Sequence, residues 1–362
     1  MWQVENKGKL IISAVFAVLF IALLVYFVSP GKVFDVLSKA DWRFVLLAAL
    51  CYVILNALMA YRIQSLLSEV MRPKDTSPPS AARLKVGHKI SFKAAMDANF
   101  AGMCASDFTP ARSGYFFTAF ALSSKHDIPI EKTMLAIFGP QMLEFAIKAL
   151  ALAVLVFVVL GHMGLLGSGN MLYVAGSIAA IFAIIGFFSA LLFSPALLGR
   201  LSFMKRISLG RKFFFLFHLM QKNSKALLDK WVVVLGVSLA TWFLKGLEWF
   251  FLAKALGITV IDPVLDLGFF LLLHPSVTLI QFIPIPTLAG TGTSEAAFAG
   301  LLVLFGVPVD IGVPFALLTR ALMIVVDAIG GIKTILDYIH RESITGILDD
   351  INGVEERAVD KT

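Results

Sequence analysis

Apolar residues run along this chain in long, nearly unbroken stretches, and polar positions collect between them. Six stretches are long enough to be membrane spans: 10–28, 42–62, 134–160, 171–194, 231–255 and 312–338. Each is near the roughly 20 residues that a bilayer core requires. Two further apolar regions, 92–124 and 264–306, are cut by helix breakers. The first break reads Asp107-Phe108-Thr109-Pro110-Ala111-Arg112-Ser113-Gly114. The second reads Pro284-Ile285-Pro286-Thr287-Leu288-Ala289-Gly290-Thr291-Gly292-Thr293-Ser294-Glu295. Irregular backbone at membrane depth survives only inside protein or beside a water-filled cavity. An ionisable residue there is a functional-site candidate; Arg112 and Glu295 are those residues, one in each half.

Composition agrees with the pattern. Apolar residues make up 59% of the chain and charged residues 15%, against about 25% charged in a soluble domain. The fold class expected is an all-α polytopic membrane protein, because a β-barrel needs short alternating strands. The formal charge of +7 does not point to nucleic acid, because its location explains it. Residues 62–93 hold seven Lys/Arg against two acids, and 195–230 hold eight against one. Both stretches lie between apolar segments, so the positive-inside rule makes them cytoplasmic loops. The second loop, with clustered aromatics at 213–217, is equally suited to lying in the interface against anionic headgroups. Cys51 and Cys104 sit in apolar surroundings and suggest neither a disulfide nor a metal site.

Charge then sets orientation. Lys7 and Lys9 precede a first apolar run of 19 residues, longer than a cleavable signal's core of roughly 7–15, so it is read as a retained span. Parity between the basic loops and the Lys/Arg-free loops 161–170 and 257–263 puts both termini in the cytoplasm. It requires each broken region to return to its own side, as a re-entrant hairpin or a tightly paired double crossing. The first arm, 92–105, would measure about 21 Å as helix, which favours the hairpin. Pro275 is expected to kink or break the second region at His274-Pro275. The order is then span, span, broken pair, span, twice over, in opposite senses: an inverted-topology repeat, as in transporters with sites at broken helices. Residues 1–338 form one membrane domain, with repeats at about 10–160 and 171–338, and 339–362 form a short polar cytoplasmic tail. The location expected is the cytoplasmic (inner) membrane.

The chemistry-bearing residues follow. No Gly-x-Ser-x-Gly elbow, His-Glu-x-x-His or phosphate-cradling Gly-rich motif occurs. The six histidines have no ligand spacing, and His274 is expected to be structural. The chain is therefore not expected to be an enzyme or to carry a cofactor or metal. In the first break, Pro110 suits a helix's first turn, with Ser106, Asp107 or Thr109 as cap. Arg112 beside free amide donors would suit a phosphate, and would otherwise neutralise an acid. Thr109 and Ser113 flank it, Gly114 follows, and Asn99 is expected to bond the exposed backbone of the break. In the second break, Pro284 and Pro286 fix φ, while Gly290 and Gly292 permit close approach. Thr291, Thr293 and Ser294 offer hydroxyls, with Thr293 or Ser294 as helix cap, and Glu295 falls in the first turn of the next helix, where a carboxylate is favoured. Glu144 with Lys148 and Lys245 with Glu248 have the spacing of local helix pairs. If the hairpin tips meet, Arg112 can approach Glu295, and Glu144 can approach Arg320.

These same residues carry a resemblance. The chain resembles the flippase-like, lysylphosphatidylglycerol synthase transmembrane-region family. The carrying positions are Asn99, the block Thr109-Pro110-Ala111-Arg112-Ser113-Gly114, then Pro284-Ile285-Pro286, Gly290, Gly292, Glu295, Gly306-Val307-Pro308 and Arg320. It departs from the family pattern at Tyr115, where an acid is usual, around Glu144-Phe145, and at Thr287-Leu288-Ala289. The resemblance implies movement of an anionic lipid between leaflets: a phospholipid, an aminoacyl-phosphatidylglycerol or a polyprenyl-phosphate-linked lipid. Arg112 would contact the headgroup phosphate, with Glu295 and Arg320 gating or pairing. The alternatives are a secondary transporter of a small anionic solute and a non-transporting membrane partner of a lipid or glycan biosynthetic enzyme. Membrane lipids are the expected partners, with a homo-oligomer or such an enzyme as further ones.

Overall fold

The computed structural model describes residues 30–72, 90–162, 194–203, 224–281 and 292–341, apart from 110, 111, 113, 127, 261, 263 and 264, together with scattered positions from 164 to 221. Every regular element among them is helical: α1 (Pro30–Ser38), α2 (Trp42–Val70), α3 (Phe92–Asp107), α4 (Tyr115–His126), α5 (Ile130–His162), α6 (Pro195–Arg200), α7 (Lys225–Asp229), α8 (Trp231–Ala255), α9 (Leu265–Gln281), α10 (Thr293–Leu304) and α11 (Val309–Arg341). The span expected at 10–28 and most of the tail lie outside the described residues, and 171–194 is described only at scattered positions.

Among the described residues, four helices are long and apolar enough to cross a bilayer: α2, α5, α8 and α11. This is a membrane protein. Its long helices turn apolar side chains outward, including Leu46, Leu50 and Ile54 of α2, Phe157 and Val158 of α5, and Val325, Ile329 and Ile332 of α11; such faces suit lipid tails. The 29 residues of α2 reach about 43 Å, well past a hydrocarbon core of about 30 Å. The basic stretch expected to be a loop from residue 62 is therefore helical to Val70, and Arg62 is a buried helix residue, not a loop cation. Likewise α11 continues to Arg341.

The broken regions are two pairs of short helices. α3 has 16 residues, α4 has 12, α9 has 17 and α10 has 12. At 1.5 Å per residue each falls short of a full crossing. α3 and α4 fold back on one another, with Gly102 of α3 so close to Thr118 of α4 that a Cβ would collide with its hydroxyl. Of the two outcomes expected at Pro275, a break is not seen: α9 runs through it from Leu265 to Gln281. A proline removes the hydrogen bond to the carbonyl four residues earlier, here that of Leu271, and the Trp242 indole of α8 donates to this carbonyl at 2.9 Å. Gly246 admits α8 to the same spot, since a Cβ there would overlap Leu271.

The packing pairs have a regularity of their own. α2 packs on α8. α3 packs on α11, and α9 on α5. α2 packs on α3, and α8 on α9; α3 on α4, and α9 on α10; α4 on α5, and α10 on α11; α2 on α5, and α8 on α11. Exchanging α2–α5 with α8–α11 leaves this set unchanged. Among the described residues, two large apolar cores result, beside two small clusters. One gathers Val45, Tyr52, Trp249, Phe270, Phe298 and Phe315. The other gathers Ala60, Leu66, Leu67, Leu122, Leu135 and Val234. They occupy opposite ends of α2 and α8, and the functional geometry lies between them.

Candidate functional site

Between the two cores α2, α5, α8 and α11 turn polar at mid-length. A cavity of about 80 Å³ opens there, lined by Tyr52 and Met59 of α2, Glu144 and Lys148 of α5, Ser238, Thr241, Trp242 and Lys245 of α8, His274 and Thr278 of α9, Met323 of α11, and Arg112 and Tyr115 beside the first break. That volume holds a small cluster of waters, or a compact polar group.

Arg112 is positioned by the break itself. It is buried and takes φ 53°, the only left-handed non-glycine among the described residues. Such a conformation costs an L-residue about 1–2 kcal/mol, so the surroundings must hold it. The Arg112 amide donates to the Thr109 carbonyl at 3.2 Å, and the Gly114 amide donates to Thr109 Oγ1 at 2.7 Å. The turn closes against the end of α3, where a Cβ on Gly114 would enter the backbone of Ala105 and Ser106. The guanidinium donates to Asp107 at 3.4 Å, while its Nε and Asp107 Oδ2 are buried without partners among the described residues.

Three more cations and three more acids surround the cavity. Arg62 donates to Glu144 and, at 3.0 Å, to Ser238. Lys148 lies 3.7 Å from Glu144. Lys245 donates to both oxygens of Glu248 at 2.8 Å and sits 4.2 Å over the Tyr52 ring. The Tyr52 hydroxyl donates to Asp327 of α11 at 2.6 Å. His274 shares a 3.0 Å hydrogen bond with Thr278 and meets Trp249 edge to face. The expected local pairs, Glu144–Lys148 and Lys245–Glu248, are both present.

The second break builds a separate node. Gly292 caps α10 at φ 89°. The Glu295 carboxylate accepts from the Gly292 amide at 2.6 Å, from Ser294 Oγ at 3.0 Å and from Arg320 Nε at 2.8 Å, and Arg320 Nη2 donates to Ser294 Oγ at 3.0 Å. Gly292, rather than Thr293 or Ser294, is thus the cap.

The sequence candidates divide accordingly. Arg112 and Glu144 reach the cavity, and Thr109 and Gly114 hold the turn. Glu295 and Arg320 hold each other and are not among the described lining residues. The expected approaches of Arg112 to Glu295 and of Glu144 to Arg320 are not made: Arg112 turns to Asp107, and Glu144 to Arg62. Asn99 bonds Asn56 of α2 at 2.8 Å rather than the break. Pro110, Ser113, Pro284, Pro286, Gly290 and Thr291 lie outside the described residues, as does the side chain of Thr293. Sequence reasoning missed Arg62, Tyr52, Lys245 and Asp327 as cavity groups. A signal existed for α8, since Ser238, Thr241, Trp242 and Lys245 recur at helical spacing in an otherwise apolar run.

A profile of the lysylphosphatidylglycerol synthase TM region matches residues 10–331. The chain belongs to this family. Comparison with curated proteins gives no match. Membership of the lysylphosphatidylglycerol synthase TM-region family links this membrane protein to lipid or lysylphosphatidylglycerol handling.

Proposed function

We propose that the protein is a non-enzymatic flippase that moves an anionic lipid between the leaflets of the cytoplasmic membrane. The observation that carries this reading is the mid-depth cavity, where Arg112, Lys148 and Lys245 stand among hydroxyl and indole donors between two apolar cores. A phosphate diester needs cations and donors, and its acyl chains need apolar faces. Arg112 is the headgroup contact, since its buried Nε has no partner among the described residues. Glu295 and Arg320 brace α10 against α11 beside the path. The topology proposed is six spans with two re-entrant hairpins, related as an inverted repeat, with both termini cytoplasmic. Its support is that the packing pairs survive exchange of the halves and that all four hairpin arms are short.

A compact anion is the second reading, favoured by the small cavity volume; the protein would then be a secondary transporter of an anionic solute. Reconstitution into liposomes with headgroup-labelled phosphatidylglycerol or polyprenyl phosphate, scored by quencher access, separates the two. Protein-dependent exposure of label, lost in Arg112→Ala, is expected. No exposure of either lipid, with uptake of a soluble anion instead, would overturn the flippase reading.

A further inference from the structure

Charge bookkeeping around the cavity singles out one group. Four cations line it or touch its lining: Arg62, Arg112, Lys148 and Lys245. Four acids do the same: Asp107, Glu144, Glu248 and Asp327. Three of the acids face a cation directly: Asp107 faces Arg112, Glu144 faces Arg62 and Lys148, and Glu248 faces Lys245. Asp327 does not. It is completely buried, its Oδ2 accepts only from the Tyr52 hydroxyl, and its Oδ1 has no partner among the described residues.

An acid so placed is the weak point of a balanced cluster. With all eight groups ionised the cluster is neutral, so an anion that enters beside Arg112 brings an uncompensated charge into a low-dielectric interior, which is costly. One added proton cancels that charge. Asp107, Glu144 and Glu248 would each have to give up an ion pair to accept it, whereas Asp327 would give up only one hydrogen bond from a neutral phenol. We propose that Asp327 is the proton-binding site of the cavity, and that proton uptake there accompanies entry of the anionic ligand. This rests on the reading of the cavity as an anion site.

The surroundings of Asp327 agree with this role. The groups nearest in charge are Asp107 and Arg112 at the end of α3, Lys245 of α8 and Tyr52 of α2, with Cys104 of α3 and Tyr115 of α4 beyond. On the elements packed on the earlier part of α11, Glu295 of α10 is held by Arg320, and Asp35 of α1 is paired with Lys39. α11 presses on α3 one turn further on, where Gly331 meets the backbone of Phe100. Asp327 is therefore set at a tight helix contact beside the break that carries Arg112.

Binding linkage makes the idea testable, because a proton that assists the anion is itself assisted by it. The assay is binding of headgroup-labelled phosphatidylglycerol to the full chain in phosphatidylcholine nanodiscs across a pH series. In the wild type, affinity should fall about tenfold or more as pH rises and the proton is lost, as expected for one unit charge at close range in the membrane interior. Asp327→Asn, a permanent neutral mimic, should bind tightly and without this pH dependence. Asp327→Glu should restore the dependence, and Tyr52→Phe should move its midpoint while keeping it, which guards against an Asn variant that fails to fold. A wild-type pH dependence that persists unchanged in Asp327→Asn would place the proton elsewhere, for instance on His274, and overturn the proposal while leaving the anion site intact. A wild type that binds with no pH dependence would overturn it equally. Absence of binding at every pH would instead remove the anion-site reading, and the proposal with it.

Discussion

The Glu295–Arg320 node offers the sharpest test of how the second break is held. Glu295→Ala removes a carboxylate that accepts three hydrogen bonds, from the Gly292 amide, Ser294 and Arg320. Both charged residues are buried, Glu295 at 5% and Arg320 at 7% exposure, so solvent does little to replace the lost partner. Removing one member of such a pair costs about 3–5 kcal/mol, with the orphaned Gly292 amide, worth about 1–3 kcal/mol, included in that range. Glu295→Gln keeps an oxygen for Gly292 and should cost less. The double variant Glu295→Ala/Arg320→Ala should cost less than the sum of the single variants by about 0.5–3 kcal/mol, because neither charge is left behind. Cys51 and Cys104 are free and buried, so a thiol-reactive fluorophore reports unfolding in detergent directly. Additive losses in the double variant, or an unchanged unfolding midpoint in Glu295→Ala, would refute the clasp. Because the pair is not among the described residues lining the cavity, flipping should fall with folded fraction and not with lipid affinity.

Three further outcomes are expected. Trp242→Phe leaves the Leu271 carbonyl above Pro275 without its donor and should cost about 1–3 kcal/mol in the same unfolding assay, more than Trp231→Phe, whose ring is exposed. Gly114→Ala drives a Cβ into the backbone of Ala105 and Ser106. It should destabilise by more than the roughly 1–3 kcal/mol of ordinary overpacking, seen as a large drop in thiol-protection temperature. The paired change Asp107→Asn/Arg112→Gly removes both charges of one ion pair and the left-handed strain at residue 112. It should fold about as stably as the wild type yet lose phosphatidylglycerol binding; retained binding would show that Arg112 is only structural.

Much of the fold was legible because the period and length of apolar runs carry it. The long spans at 42, 134, 231 and 312 each correspond to a helix, and both breaks fall between short helices. What was not legible is where the charges turn. Arg62 counted as a loop cation because an apolar run ends there, yet α2 continues for two more turns and carries Arg62 back against Glu144 of α5. Arg112 was expected to meet Glu295 because the signs matched across the halves. An acid five residues away, Asp107, closes a local turn first, at far smaller loop-closure cost than a contact spanning the molecule. Pro275 suggests a kink or a break, and α9 continues through it; a tryptophan on another helix supplies a donor to the Leu271 carbonyl, a compensation that no local pattern displays. Asp327 was visible only as an acid two turns from Arg320; its isolation depends on which partners the other acids take.

The scaffold and the site differ in symmetry, and that difference bears on mechanism. Exchange of α2–α5 with α8–α11 preserves every packing pair named above, but it does not preserve the chemistry. α9 lines the cavity with His274 and Thr278, whereas its counterpart α3 lines it with Met103. α5 contributes Glu144 and Lys148, whereas α11 contributes Met323 and, behind Tyr52, Asp327, which faces no cation directly among the described residues. Under the flippase reading proposed above, two matched halves would give a hinge able to rock in either sense at similar cost. The unmatched lining would give one binding pose rather than two, because Arg112, Lys148 and Lys245 have no equivalent set of cations among the described residues of the exchanged side. Such a carrier would alternate its exposure while presenting a single oriented site, with Asp327 as the element proposed to tell one exposure from the other.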